Sequence, residues 1–302
     1  LNCVRKHCER LKGGRLARLV GAGDEGRAAA RIRSVGAPRS DAHARSRVLA
    51  LVVSDVLGDP LDVISSGPLA PDPTTYADAI GVLERRATAG HVPSVVAHLR
   101  AGVRGEHDET PKPGDAAFDG VVSTIISSNQ TAAIAARDTL LDLGFRVKVV
   151  CRVEGEAGAI GRGLVGDAIA ESAAADASFA VVYAGETTVD VGDATGLGGR
   201  NQELALAAGI ELEGLAHLGA RVCVATLATD GIDGPTDTAG AVVDSHTGAL
   251  ARERGVDLGG ALARHDSHAA LGALGLLVRT GPSGTNVNDA AIAMVYLSVP
   301  RS

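Results

Sequence analysis

VVSTIISSNQTAAIAARDTLLDLGFRVKVV, residues 121–150, is the stretch whose reading decides the fold. The run Val121 to Ile126 is short, apolar and rich in β-branched side chains, which predicts a strand. Ser127-Ser128-Asn129-Gln130-Thr131 leads into an Ala-rich helix to about Leu143, and Phe145 to Val150 forms a further strand. Strand, turn, helix and strand in that order make the βαβ unit of a parallel sheet, in which ligands gather outside the carboxyl ends of the strands. Asn129 stands at such an end, either as an N-cap satisfying helix amides or as a ligand contact.

Upstream, Val48 to Val53 predicts a buried strand that ends at Ser54-Asp55. The loop after it, SDVLGDPLDVISSGPLAPDPTTY (54–76), is long and rich in Asp, Ser and Thr, with glycines and prolines that fix turns; this favours a functional loop over a spacer. Helical spacing follows at about 75–87 and 92–101. Residues 1–19 also carry helical spacing through Val4, Leu11, Leu16 and Leu19. Between about 20 and 47 the chain is Ala, Gly and Arg with few large apolar residues, so a solvated, flexible insertion is expected.

Downstream, a helix is predicted over about 156–173 and a domain boundary at 175–178. Phe179 to Tyr183 and Thr187 to Val191 read as two strands pairing around Gly185-Glu186. GDATGLGGRNQELALAAGIEL (192–212) is a glycine loop running into an amphipathic helix that starts near Asn201. Such a loop brings backbone N–H groups and the positive helix end toward an anion, and Arg200 adds a permanent charge; a plain capping turn is the alternative. The segment is neither a P-loop nor a dinucleotide fingerprint, because both spacings fail. Arg221 to Thr226 is a strand emptying into ATDGIDGPTDTAG (228–240), where Asp230 and Asp233 suit magnesium shared with substrate phosphates and Asp237 suits the cap of the next helix. TGPSGTNVND (280–289) is a ligand rim or a tight turn before the strand Ile292 to Val299.

At 302 residues, 45% hydrophobic and 22% charged, the chain has the composition of a soluble two-domain protein. Only 2% of its residues are aromatic, so Ala, Val, Leu and Ile must fill the core through close packing. A net charge of -7 argues against nucleic acid or an anionic membrane as partner. The four cysteines show no CxxC, which points to a reducing, cytoplasmic setting. Cys3, His7 and Cys8 lack a second ligand pair at zinc spacing. No apolar run approaches the roughly 20 residues of a membrane helix. The chain starts at Leu1 rather than Met, and it reads as a fragment or an incomplete gene model.

GETTVDV, GGRNQELALAA, TDGIDGPTDTAGA and TGPSGTNVND resemble the MOFRL domain of class II glycerate 2-kinases, and they occur in that family's order. NCVRKHCERLKGGRLA, SDVLGDPLDVISSGPLAPDPTTYADAI and ETPKPGD are similar to the later part of its amino-terminal domain. Together they cover nearly the whole chain except the Arg-rich insertion. The resemblance implies an α/β fold of two domains: an incomplete, doubly wound, Rossmann-like parallel sheet domain at 1–175, and a smaller MOFRL-type domain at 176–302, with a cleft between them. It implies ATP-dependent phosphorylation of D-glycerate at the 2-hydroxyl with Mg²⁺, and leaves a homo-oligomer open.

Carried over residue by residue, Arg200 of GGRNQE is expected to stabilise the transferring phosphoryl group and Asp55 to orient or deprotonate the hydroxyl. Asp230 and Asp233 are expected to serve the metal, a salt-bridged structural carboxylate being the alternative for each. Substrate or nucleotide contacts fall on Ser66, Gly67 and Thr75 in the first long loop, and on Asn129 and Glu186 at strand ends. Gly198, Gly199, Asn201 and Glu203 supply further contacts around the glycine loop, and Thr285 and Asn286 do so in the last. The GGGSAL-like loop and the lysine-bearing GKAA-like segment that precede NxxRKH in the family are absent from these 302 residues. That lysine's role therefore passes to none of Lys6, Lys12, Lys112 and Lys148, and Ala228 stands where a glycine is expected. Hydroxypyruvate reduction and a non-catalytic, weakly binding remnant are the rival readings.

Overall fold

The structure is a computed structural model that describes residues 47–86, 89–215 and 221–296. The helical reading of 1–19, most of the insertion and Cys3, His7 and Cys8 lie outside the described residues. The described residues fall into two compact units: Asp59–Ile125 with the residues up to Val52, and Val53–Gly58 with those from Ile126 onward.

In the first unit, β1 (Val48–Val53) lies beside β2 (Val121–Ser127) in a two-stranded sheet, and the Val48 N–H donates to the Gly120 carbonyl at 2.8 Å. The buried strand expected at Val48 to Val53 is a half-exposed one: Leu49 and Leu51 are 66% and 61% exposed while Val48, Ala50 and Val52 turn to the sheltered face. With a side-chain period of two, a strand covered on one side only must show every second residue to solvent. Helix α1 (Tyr76–Arg85) begins at a capping box in which Thr75 accepts from the Asp78 N–H and Asp78 accepts from the Thr75 N–H. Helix α2 (Pro93–Val103) starts on a proline whose missing N–H costs nothing there. The two helices enclose Tyr76, Ala79, Leu83, Val96 and Leu99, with the Tyr76 ring seated over Gly102.

The second unit is built on one mixed sheet. Helix α3 (Asn129–Asp142), β3 (Arg146–Glu156), α4 (Ala157–Ala175) and β4 (Phe179–Thr188) come first. Helix α5 (Arg200–Gly214), β5 (Arg221–Ala228) and β6 (Gly240–Asp244) follow. Short helices α6 (Thr247–Arg254), α7 (Leu258–Ala263) and α8 (Ser267–Leu274) lead to β7 (Leu277–Val278) and β8 (Asp289–Tyr296). The strand order is β3-β4-β8-β5-β6-β7; only β3 and β4 run parallel, and the other pairs are antiparallel.

This arrangement corrects four expectations. The parallel unit is β3–α4–β4, whereas β2 belongs to the other sheet, so the strands on either side of α3 do not form one βαβ unit. Residues 175–178, expected as a boundary, join two hydrogen-bonded neighbours, and the compact units divide near Ile125 instead. The two strands expected at 179–191 are one strand, because β4 is a central strand paired on both edges. Gly185 is thus no turn: an added Cβ would lie 2.0 Å from the Val153 carbonyl oxygen, where β3 carries a bulge between Cys151 and Val153. Asp237 caps no helix either; the next element is β6, and Asp237 pairs with Arg279 at 3.1 Å.

One face of the sheet carries α4 to α8, excluding water from Val181, Val224, Val243 and Ala293, and the other carries α3 over Ala180, Val182 and Ala184. Between the sheet and its neighbouring helices, α5 is buried from Asn201 through Gly209 rather than on a single face, as amphipathic spacing had predicted. Helix α4 approaches it through Gly161, where an added Cβ would sit 2.3 Å from the Leu204 carbonyl oxygen. Gly161→Ala must push the two helices apart and is expected to cost about 1–3 kcal/mol despite its better helix propensity. A lowered urea midpoint at unchanged m-value is the expected readout; a midpoint at or above the parent's would refute the close-packing argument. Among the described residues, no helix is long and apolar enough to cross a membrane.

Candidate functional site

The sheet brings three charged residues from separate segments together at the carboxyl end of β4. Glu186 stands near the end of that strand, Asp289 opens β8 opposite Gly185, and Arg200 is the first residue of α5. The Arg200 guanidinium donates through Nε and Nη2 to the two carboxylate oxygens of Asp289, at 2.5 and 3.3 Å, and through Nη1 to Glu186 at 2.8 Å. A forked, two-point grip of this kind fixes the plane of the guanidinium as well as its position. Arg200 keeps 35% of its side-chain exposure while Asp289 keeps 10%. Half-burial works against the Arg200 charge, but the bond to Asp289 and the neighbouring carboxylates outweigh it and raise its pKa. Burial likewise pushes the Asp289 carboxyl up, and Arg200 pulls it back toward the ionised form.

The amino-terminal end of α5 departs from the expected anion site. Two of its free N–H groups are taken by the carboxylate of Asp233: Asn201 N donates to Oδ1 at 3.0 Å and Gln202 N to Oδ2 at 2.8 Å, with the Gln202 side chain adding a third bond at 3.0 Å. Asp233 is 1% exposed. The glycine loop makes room for this carboxylate, since a Cβ on Gly199 would lie 2.3 Å from Asp233 Cγ. Gly198 similarly faces Ser267, where a Cβ would fall 2.2 Å from Oγ. The double glycine thus serves close approach between protein segments, and an internal anion stands where an external one was expected.

Magnesium ligation by Asp233 fails the same test, because both its oxygens are buried and committed to N–H donors. Asp230 is partly exposed and accepts from the Ile232 N–H at 2.9 Å in a local turn. Among the described residues, no group of three or more His, Cys, Asp or Glu side chains could hold a metal ion.

Other expected contacts sort by position. Asn201 and Glu203 are 2% and 3% exposed, too deep to touch a solute; Asn201 binds Asp233 and Glu203 binds the His265 ring. Burial is the main reason the Glu203 pKa is raised, opposed by His265. Asn129 is not the N-cap of α3, a place taken by Ser128; its amide donates to the carbonyls of Val287 and Asp289 at 3.0 and 3.1 Å, which secures the entrance to β8. Asp55 is exposed and follows Ser54, whose N–H donates to the Ser127 carbonyl at 2.9 Å beside the start of α3. Thr285 and Asn286 are exposed on the loop before β8, which Thr229 and Ser283 fasten by hydrogen bonds.

In the first unit, Thr75 is an N-cap, and Gly67 closes the turn Ile64–Ser66 in the left-handed region, where a Cβ would meet the Asp62 backbone at 2.6 Å. Sequence reasoning missed Asp289, Gln202, His265 and His268. Asp289 ends the TGPSGTNVND string and signals itself by that position. The histidines carry no local signal, lying more than sixty residues from their partners.

The mixed sheet, the carboxylate-capped glycine loop and the Arg200 cluster define a MOFRL-type α/β unit, and the MOFRL family model matches residues 179–289. A second model, described as a domain of unknown function (DUF4147), matches residues 40–100. The chain is 37% identical to the glycerate 2-kinase of Pyrococcus horikoshii over 98% of its own length and 61% of that protein's. It is 36% identical to the D-glycerate 2-kinase of Thermotoga maritima, over 98% of this chain and 62% of the relative. A relative from Agrobacterium vitis, provisionally named a hydroxypyruvate reductase, is 32% identical over 96% of this chain and 67% of its own. The crystal structure of glycerate kinase from Thermotoga maritima superposes with a TM-score of 0.74 at 36% identity, covering 97% of this chain and 62% of that one. The chain belongs to the class II glycerate 2-kinase family, of which MOFRL is the carboxyl-terminal part. It spans about three-fifths of the length of the first two relatives.

Proposed function

We propose that the protein phosphorylates D-glycerate at its 2-hydroxyl, using ATP and releasing ADP and 2-phosphoglycerate. The observation that carries this reading is the state of Arg200. Of its five N–H donors, three are spent on Asp289 and Glu186, and two have no partner among the described residues. A guanidinium locked in place by carboxylates, partly exposed and with donors to spare, is pre-organised to meet the oxygens of a transferring phosphoryl group. The 2-hydroxyl oxygen forms the new bond to the γ-phosphorus while the bond to the β–γ bridging oxygen breaks, and the hydroxyl proton leaves to a base. Asp55 is our candidate for that base, being exposed and without an ion pair among the described residues. Magnesium arrives with the nucleotide as part of the substrate, and Asp230 is our candidate carboxylate to approach it. A reducing cytoplasm suits the free thiols of Cys151 and Cys223.

The names of the Agrobacterium relatives favour a second reading, hydroxypyruvate reduction. Against it, α4 and α5 both begin on carboxylates: Glu156 fills the first N–H groups of α4 and Asp233 those of α5. A dinucleotide's pyrophosphate needs such a helix start open. The deciding measurement is a coupled ADP-release assay with D-glycerate, ATP and Mg²⁺, beside hydroxypyruvate with NADH. Glycerate-dependent ADP release is expected. NADH oxidation without ADP release would establish the reductase instead, and a folded chain inactive in both assays would support the non-catalytic remnant.

A further inference from the structure

The segment Arg264–His268, running from the end of α7 into the first turn of α8, makes a set of contacts that the phosphoryl-transfer reading does not use. It closes on the glycine loop and on the first turn of α5 at several points. The Leu197 N–H donates to the Asp266 carboxylate at 3.2 Å, and the His268 N–H donates to the Leu197 carbonyl at 2.9 Å. Gly196 lies against the backbone of Arg264 and His265, where a Cβ would meet the Arg264 carbonyl at 2.2 Å. Two imidazoles then reach the helix itself: His265 Nδ1 lies 2.8 and 3.1 Å from the two oxygens of Glu203, and His268 Nδ1 lies 2.8 Å from Gln202 Oε1. Gln202 in turn donates to Asp233, so the second imidazole joins the same network that caps α5. His265 holds a left-handed backbone, with φ of 53°, which a non-glycine residue adopts at a cost unless surrounding contacts enforce it.

We infer that Arg264–His268 is a positioning clamp: through His265, Asp266 and His268 it sets the glycine loop and hence the direction in which Arg200 presents its free donors. The functional half of this inference rests on the glycerate-kinase reading. Arg200 sits one residue beyond Gly199, so a loop released at Leu197 and at Glu203 frees the backbone on both sides of it. Misplacement of a catalytic group by a fraction of an ångström lowers turnover more than substrate affinity, because the lost alignment matters most in the transition state. His265, Asp266 and His268 need touch no substrate to have this effect.

The test compares His265→Ala with His265→Asn and Asp266→Ala with Asp266→Asn in the full chain. Asparagine tolerates the left-handed backbone and places an amide donor near the position of Nδ1, and it keeps an acceptor for the Leu197 N–H. Hydrogen exchange of the amides at 196–203, read by mass spectrometry, is expected to quicken about tenfold in both alanine variants and to stay near the parent rate in both asparagine variants. In the glycerate assay kcat is expected to fall about tenfold in the alanine variants with KM within about twofold, and to recover with asparagine. Unchanged exchange in the alanine variants overturns the clamp. Faster exchange with unchanged kcat overturns its role in positioning Arg200. A parent chain inactive toward glycerate counts against the kinase reading alone, while the exchange measurement still decides the clamp.

Discussion

Arg200→Ala is expected to lower glycerate-dependent ADP release by about a hundredfold or more, the effect of removing one donor set aimed at transition-state charge. The same substitution strips Asp289 of its only bidentate partner among the described residues. Asp289 is 7% exposed, so a carboxylate without its counter-charge there destabilises the fold by roughly 3–5 kcal/mol or takes up a proton. The two consequences are separable. Arg200→Lys retains a charge near Asp289 but loses the planar fork, so it is expected to recover most of the stability and little of the turnover. Circular dichroism and urea unfolding report the first quantity, and kcat/KM reports the second. An alanine variant that is folded and within about threefold of the parent in kcat/KM would remove Arg200 from the mechanism.

Asp233→Ala is expected to lose about as much stability as Arg200→Ala, by a different route. The carboxylate accepts from two backbone N–H groups and from the side-chain amides of Asn201 and Gln202, all inside the protein, so its removal takes an acceptor from four buried donors, of which Gln202 Nε2 keeps Thr236 Oγ1. An ordinary exposed cap is worth about 1 kcal/mol. Here each orphaned donor carries its own desolvation cost, and a total of about 3–5 kcal/mol follows, equivalent to a Tm lower by roughly 10 °C in a unit of this size. Asp233→Asn keeps one acceptor oxygen and is expected to lose about half as much. Thermal unfolding of the three proteins checks the series. An alanine variant as stable as the parent would mean that water or a bound anion can take the carboxylate's place, and it would restore the helix start as an anion site.

These two residues show where reading the chain succeeds and where it stops. The helix at Arg200–Gly214, the glycine loop before it and the strands at both ends of the MOFRL segment are legible because their signals are local. A glycine run, an apolar period and a β-branched run each depend on neighbours within a few residues. The strand ending in Ser54-Asp55 was legible for the same reason, but its burial was not, since exposure depends on what covers each face. Pairing around Gly185 misled because a glycine in a turn and a glycine under a close backbone look alike in sequence; the bulge in β3 makes the difference. Glu203 and Asn201, sitting in the most distinctive motif, read as ligand contacts, yet α5 is sheathed on nearly every side and turns both toward protein.

The sequence by itself determined the α/β class and the family, because periodicity, turn chemistry and a series of motifs in fixed order need no knowledge of distant contacts. Only the tertiary structure decided which partners satisfy those motifs. The anion at the start of α5 is Asp233, about thirty residues away, the grip on Arg200 is Asp289, 89 residues away, and the partner of Glu203 is His265, 62 residues away. A helix start demands an acceptor and a half-buried guanidinium demands a carboxylate, but neither demand names its supplier. The strand order β3-β4-β8-β5 names it, by folding β8 between β4 and β5 and so placing its first carboxylate beside Arg200.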